Sequence, residues 1–415
     1  MALGVQTLLR RLSWKDVLLI AAIVGTFGQS IVYGFAPGEH RHVDSQVFYV
    51  AGRSLLHGTS PYDSTTADAR WQEALGKHYD VDLPFLNPPT FFPWLAATTW
   101  MPFNVWGHLV DGLHILGVGL LLWGLFGLAD RLFPSSSRTL RLLGLALAGL
   151  ATCLVYEVQW GEDSLFIVVA LVWAWRLLID GQSRLAMALL VGIASIKPQL
   201  SLMPALAVIV GYGRPRQWLS GLVIGAGYCL AIGIAFGFSL YREFPRALDL
   251  WPRSMFNRPE QVSGLMNLSA GIGVTISPMF LFATSVGVGA FLAGLYRIFR
   301  WPEESSDERK RSLVLLTLVI WLVNEALLPF HTYDHTILMV PLALSVLFPT
   351  WISGSLLPGL VIAARPNLVG RLVGQALSPE QIVTGALLIS SVVSIVVLLR
   401  PWPLSERLVE STERP

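Results

Sequence analysis

Apolar runs of about 11–25 residues, broken by short polar stretches, set the pattern of this chain. The first run spans about residues 16–35, and the longest polar stretch between runs follows it. There Val47, Val50, Ala51, Ser54 and Leu55 recur at helical spacing, which predicts a helix from about Ser45 to His57. Gly58 stops it, and Ser60-Pro61 opens a turn. An amphipathic helix this short cannot cross a bilayer and is expected to lie along its surface. Asp44 sits at its N-terminal edge. Two roles suit a carboxylate there: a helix cap, or a base at the mouth of a membrane-facing cavity.

Further along, three prolines among Pro88, Pro89 and Pro93 forbid a regular helix, and Phe91–Met101 is short enough to be re-entrant. Runs near 105–128, 142–156 and 165–178 follow, with an acidic loop, Glu157 to Ser164, between the last two. Leu185–Ile196 and Leu200–Val210 flank Lys197-Pro198-Gln199. Each half is about 17 Å long as helix, too short for a core of about 30 Å. Either they form a hairpin with Lys197 at its tip, needing a partner or a wet cavity, or they belong to kinked spans with Lys197 snorkelling. Runs near 219–238, 272–296, 313–328, 336–347, 351–362 and 382–399 bring the total to about twelve spans, within a range of about 10–13.

Composition fixes the class. The chain has 415 residues, 53% hydrophobic and only 13% charged. Soluble domains carry about 25% charged residues, so the expectation is an all-α, polytopic membrane protein forming a single domain over 1–415. Arg10, Arg11 and Lys15 before the first run, and Arg131, Arg138 and Arg141 after the next long one, place those ends in the cytoplasm. Residues 37–93 then form a first outer loop and 239–268 a second, with both termini in the cytoplasm and the chain in the cell membrane. The second loop carries Arg242, Arg246, Arg253 and Arg258, suited to phosphate or lipid headgroups or to plain solvation. The two cysteines lie in apolar runs and suggest no disulfide or metal framework.

In this topology Asp44, Glu162, Asp163, Lys197 and the run His331-Thr332-Tyr333-Asp334-His335 all face the outer compartment. The histidines, four apart, suit loop carbonyls or, on a helix face, a metal. Together these residues offer a base, a cationic phosphate-binding set, and acids and aromatics for hydroxyl groups.

The order of these features resembles glycosyltransferase family 87, of the GT-C class. The matching blocks are Asp44 with Tyr49-Val50-Ala51-Gly52-Arg53 through Pro61-Tyr62, then Pro88-Pro89 with following aromatics, then Gly161-Glu162-Asp163-Ser164, then Gly192 to Gln199, and Tyr333-Asp334 ahead of Pro341. Glu162 stands where the family usually has Gln, and Asn87 where an aromatic is common, departures that bear on substrate identity more than on reaction class. The resemblance implies a GT-C-like bundle and an inverting transfer of a sugar, mannose or another hexose or pentose, from a polyprenyl-phosphate donor to a lipid or glycan acceptor. It implies Asp44 as general base. Lys197, His335 and His331 are expected at the donor phosphate, and Tyr62, Glu162, Asp163, Tyr333 and Asp334 at the substrates. No metal, no cofactor and no nucleic-acid partner is expected, in keeping with a sequence that shows no Gly-rich phosphate loop. Two rival classes are a transporter or flippase of a polar lipid or lipid-linked sugar, which would favour two similar halves with paired broken helices, and a polymerase or ligase of lipid-linked glycans.

Overall fold

The computed structural model describes residues 13–36, 42–78, 85–197, 200–201, 215–248, 257–258, 261–299, 306–331, 334–348, 350–365, 367, 371 and 378–399. In chain order its helices are α1 (Trp14–Gly34), α2 (Val43–Leu56), α3 (Ala67–Leu75), α4 (Phe92–Thr98), α5 (Phe103–Leu132), α6 (Arg138–Ala148), α7 (Cys153–Trp160), α8 (Ser164–Ile179) and α9 (Ser183–Ile196). They continue as α10 (Pro215–Phe236), α11 (Leu240–Leu248), α12 (Leu265–Gly271), α13 (Pro278–Phe299), α14 (Ser306–Leu327), α15 (Met339–Ser345), α16 (Thr350–Ala364) and α17 (Pro379–Leu399). The only β feature among the described residues is an isolated bridge between Ser263 and Phe330.

The protein is all-α and built for a membrane. Among the described residues 4 helices are long and apolar enough to cross one, in α1, α5, α10 and α17, or up to 5 if α6 and α7, bent by 57° at their break, count as one span. Ser13 starts α1 with a capping box, its hydroxyl accepting from Asp16 N at 3.2 Å while Asp16 accepts from Ser13 N at 3.1 Å. Thr139 donates to Asp16 at 2.7 Å and ties the start of α6 to the same end. α1 packs along α6 and α7, α5 along α8, and α8 along α9. α14 and α16 both pack on α17. Gly144 lets α6 approach α15, since a Cβ there would sit 2.1 Å from the Ala343 carbonyl oxygen.

The apolar core divides in two. The larger part runs through the helix bundle, with Leu121, Leu125, Val168, Val172, Leu316, Val319 and Leu342 fully or almost fully buried. The smaller part is an aromatic cluster on α2, α4, the start of α5 and α11. Tyr49 meets Phe103 at 5.2 Å and Trp106 at 5.6 Å, and its hydroxyl donates to the Met101 carbonyl at 2.9 Å.

That cluster covers the apolar face of α2, the helix expected along the membrane surface, with protein. Val47, Phe48, Tyr49, Val50, Ala51, Gly52 and Ser54 are all buried, because α4 and Trp106 cover the apolar face. The proline-rich segment differs from expectation. A 3-10 turn at Pro89–Phe91 leads directly into α4, with Pro93 in its first turn, where a missing N–H leaves no helical bond unmade. Glu157, expected in a loop, lies inside α7 and is fully buried. Residues 202–210, the Pro198-Gln199 turn, Arg253 and Tyr333 lie outside the described residues.

Candidate active site

Three chain segments meet at the ammonium of Lys197. α7 ends at Gly161, whose φ of 72 is left-handed, and the N–H groups of Gly161 and Glu162 both donate to the Glu157 carbonyl at 3.1 Å. This turn delivers Glu162 and Asp163 just ahead of α8. Lys197 directly follows α9, and Asp334 opens the 3-10 turn Asp334–Leu338 that leads into α15. Lys197 Nζ lies 2.8 Å from Asp334 Oδ1, 2.9 Å from Glu162 Oε2 and 3.2 Å from Asp163 Oδ1. It also donates to Ser164 Oγ at 2.9 Å, and that hydroxyl donates to Asp334 Oδ1 at 3.0 Å. An ammonium has three protons, fewer than the four oxygens around it, and Asp163 Oδ1 is held as an ion pair without a hydrogen bond. Lys197, Glu162, Asp163 and Asp334 are all buried, and a lone charge at that depth would be costly.

The carboxylates carry further contacts. Glu162 Oε2 accepts from Asp163 N at 3.1 Å, and Asp334 Oδ2 accepts from His331 N at 3.1 Å. Burial, opposed by the nearby Lys197, pushes the Asp163 carboxyl up to about 7. Asn87 Nδ2 reaches Asp163 Oδ2 at 3.4 Å, and the Asn87 carbonyl accepts from the Tyr62 hydroxyl at 2.6 Å. Tyr62 therefore joins the cage through Asn87, and Phe85, Phe92 and Phe244 hold its ring.

Asp44 comes to the same place from α2. The start of that helix is fastened to the end of α7: His42 N donates to the Gln159 carbonyl at 2.8 Å, and Ser45 Oγ to the Gly161 carbonyl at 3.1 Å. His42 occupies the N-cap position at φ 58, a left-handed backbone that costs a non-glycine residue free energy and recurs at functional sites. Asp44 lies one step inside the helix, so the capping role is not the one it takes here. Its Oδ2 is buried without a hydrogen-bond partner. Burial, and after it the neighbouring Glu162 carboxyl, push the Asp44 carboxyl well above the usual carboxylate range.

The histidines are held apart. His331 Nε2 meets Asn257 Oδ1 at 2.8 Å. His335 is gripped on both ring nitrogens, by Glu325 at Nδ1 and by Ser263 Oγ at 2.8 Å from Nε2. Asp334 and His331 thus touch the Lys197 cage, whereas His335, in the same 3-10 turn as Asp334, is held against Glu325 of α14. No group of His, Cys, Asp and Glu among the described residues is arranged to hold a metal ion.

Sequence reasoning passed over four polar residues around the site. Glu157 Oε1 accepts from Leu165 N at 2.6 Å and fixes the start of α8. His114, midway along α5, approaches the Glu162 carbonyl at 3.0 Å. Glu325 holds His335, and His42 Nε2 lies 3.5 Å from Asp111. The signal for the first three was in the sequence, since an ionisable residue within an apolar run is costly and needs a purpose.

Compared with known proteins, the chain matches glycosyltransferase family 87 over residues 85–328. The match includes Glu162, Asp163 and Lys197, and leaves Asp44, His331, Asp334 and His335 beyond its ends. No curated protein and no solved structure matches the chain.

Proposed function

The chain belongs to glycosyltransferase family 87, and from that premise we propose that it moves a sugar from a polyprenyl-phosphate donor to a lipid or glycan acceptor, with Asp44 as general base. The carrying observation is the buried, unpartnered Oδ2 of Asp44 beside the Lys197 cage. A carboxylate with one oxygen left unpartnered, and more basic than usual, is suited to accept a proton. In the reaction Asp44 takes the proton of an acceptor hydroxyl as its oxygen bonds to the anomeric carbon. The bond from that carbon to the phosphate oxygen breaks, and its electron pair leaves with the polyprenyl phosphate. One displacement inverts the centre, and general-base assistance contributes about 10²–10⁴ in rate.

Lys197 is the cation offered to the donor phosphate, with His335, steadied by Glu325, beside it and His331 as the lesser contact. The leaving phosphate gains charge as the sugar departs, so cations aimed at it favour the transition state over the ground state. Glu162, Asp163, Asp334, Tyr62 and Tyr333 are the groups for sugar hydroxyls. Mannose, or another hexose or pentose, is the sugar class in view.

The outer face of the cell membrane is the proposed side. His114, level with the Glu162 carbonyl, and Arg131, at the far end of the same helix, are separated by about 25 Å of helix. The arginine-bearing turn at 131–141 therefore supports a cytoplasmic end remote from the site. The shorter apolar helices complete a GT-C-like bundle of about twelve spans, with both termini cytoplasmic and residues 37–93 and 239–268 as its outer loops.

The test is incubation of purified protein with labelled polyprenyl-phosphate mannose and a crude lipid extract. Transfer of label to a new glycolipid, abolished in Asp44→Asn while the variant still binds donor, is the expected result. Turnover of Asp44→Asn within a factor of a few of the parent would remove Asp44 as the base. Vectorial movement of the lipid without a new bond would replace the enzyme reading with a transporter.

A further inference from the structure

The Lys197 cage has the form of a cation site whose cation is covalently attached. Three carboxylates and a hydroxyl converge on one positive centre at 2.8–3.2 Å. They come from the α7–α8 turn and the 3-10 turn at Asp334, segments about 170 residues apart in sequence. Three acids gather around one monovalent ammonium, and hard oxygen donors are the ligand type that Mg²⁺, Mn²⁺ and Ca²⁺ prefer, with water completing their six or more positions. The ammonium fills the centre of the set, and ion-to-oxygen distances of about 2.0–2.6 Å would require the oxygens to close in by up to about 1 Å.

Resting on the proposed transfer reaction, we propose that Lys197 is the resident substitute for a divalent cation: it gathers Glu162, Asp163 and Asp334, presents positive charge to the donor phosphate, and lets transfer run without added metal. In a metal-dependent site the ion is held by carboxylates on one side and meets phosphate on the other. Here the side chain of Lys197 supplies both contacts, and its tether to the end of α9 removes any dependence on ion concentration. Burial keeps the pair contacts strong and makes an empty cage unfavourable, because three uncompensated carboxylates would be left in a dry site.

Removing the ammonium should therefore create a divalent site. In detergent-purified full-length protein, Mn²⁺ alone is titrated and free Mn²⁺ is read by electron paramagnetic resonance. Lys197→Ala is expected to bind one Mn²⁺ per chain about tenfold or more tighter than the parent. Adding Asp334→Asn to it should abolish that binding. Lys197→Gln keeps much of the stem and serves if the alanine variant fails to fold. Equal Mn²⁺ affinity in parent and both Lys197 variants would overturn the proposal. The second arm is transfer. Parent turnover should be unchanged by EDTA within about twofold, while the Lys197→Ala loss should be partly restored by Mn²⁺ or methylammonium. Parent turnover that falls in EDTA and returns with Mg²⁺ would also overturn it. Absence of transfer from every donor tried would strike the glycosyltransferase reading, while the Mn²⁺ titration would still decide the role of Lys197.

Discussion

Gly161 holds the two halves of the site together, and replacing it tests that claim quantitatively. Its left-handed φ of 72 costs any L-residue about 1–2 kcal/mol. A Cβ would lie 1.8 Å from Ser45 Oγ and 3.0 Å from Ser45 Cβ. Ser45 must then move, losing its hydrogen bond to the Gly161 carbonyl, a further loss of about 1 kcal/mol. Gly161→Ala should destabilise by about 2–3 kcal/mol in all. Gly76 supplies the control, because its φ is 66 but nothing lies within 4 Å of a Cβ there. Gly76→Ala should show the conformational part alone and keep its transfer activity. Ser45→Ala completes a double-mutant cycle. Alone it removes a hydrogen bond and lowers the melting temperature; in the Gly161→Ala background it removes the collision and should be neutral or stabilising. Thermal melts followed by tryptophan fluorescence in detergent read all five proteins, beside initial rates of transfer. If Gly161→Ala melts with Gly76→Ala and the Ser45→Ala effect keeps its sign in both backgrounds, the close contact between α2 and α7 does not support the site as argued.

Asp44 must be ionised to act as a base, and its carboxyl is held well above the usual range by burial and then by Glu162. The rate should therefore rise with pH through a limb lying above the value of about 3.9 for an ordinary aspartate, and a kcat/KM profile flat down to about pH 4.5 would contradict it. The same shift gives a sign for stability. A carboxyl whose pKa is raised on folding contributes stability that is full below its unfolded value and is lost as pH rises through the folded one. Asp44→Asn should consequently raise the melting temperature at about pH 8, with the gain shrinking toward about pH 5, and an unchanged or lowered melt at the higher pH would refute this. For topology, single cysteines at the exposed Ser64 and Ser135, in a chain lacking Cys153 and Cys229, should react with an impermeant maleimide from opposite sides. Labelling from the same side would invert the proposed orientation.

Helices whose ends are set by local chemistry were legible in the sequence. The first run, expected near 16–35, is α1 at Trp14–Gly34, and the run expected at 165–178 is α8 at Ser164–Ile179. The helix expected from Ser45 to His57 spans Val43–Leu56 and is followed by Gly58 at φ 71. Its start was misplaced because the backbone there is held by Gln159, more than a hundred residues away. Its burial was missed for the same reason, since nothing local tells that α4 and Trp106 cover its apolar face. The single run expected at 142–156 is two helices, α6 and α7. Gly149 at their break abuts Thr26 of α1, where a Cβ would lie 2.3 Å from the hydroxyl. Periodicity finds a stretch of helix, but it does not find a bend imposed by a neighbour.

The site shows the same division between residue type and arrangement. Charges in apolar surroundings singled out Asp44, Glu162, Asp163, Lys197 and Asp334, because each must be explained by a partner or a task. The sequence did not say which charge answers which. Lys197 reads alone as a cation waiting for an anion, and the fold surrounds it with three carboxylates before any substrate arrives. That changes the physical demand on catalysis. On the proposed reaction, an incoming donor phosphate would not meet a bare lysine; it would meet a cation whose field is already divided among acids, so its attraction would be weaker at rest. As the phosphate gains charge in the transition state it competes better for the same ammonium, and the carboxylates lose their share. A cation shared in this way binds the ground state modestly and the transition state more strongly, which is the differential that accelerates a reaction. Burial first, and after it the Glu162 carboxyl, keeps Asp44 basic, while Lys197 works against them. One arrangement thus raises the base and reserves the cation, and each effect depends on Glu162, which adjoins both Asp44 and Lys197.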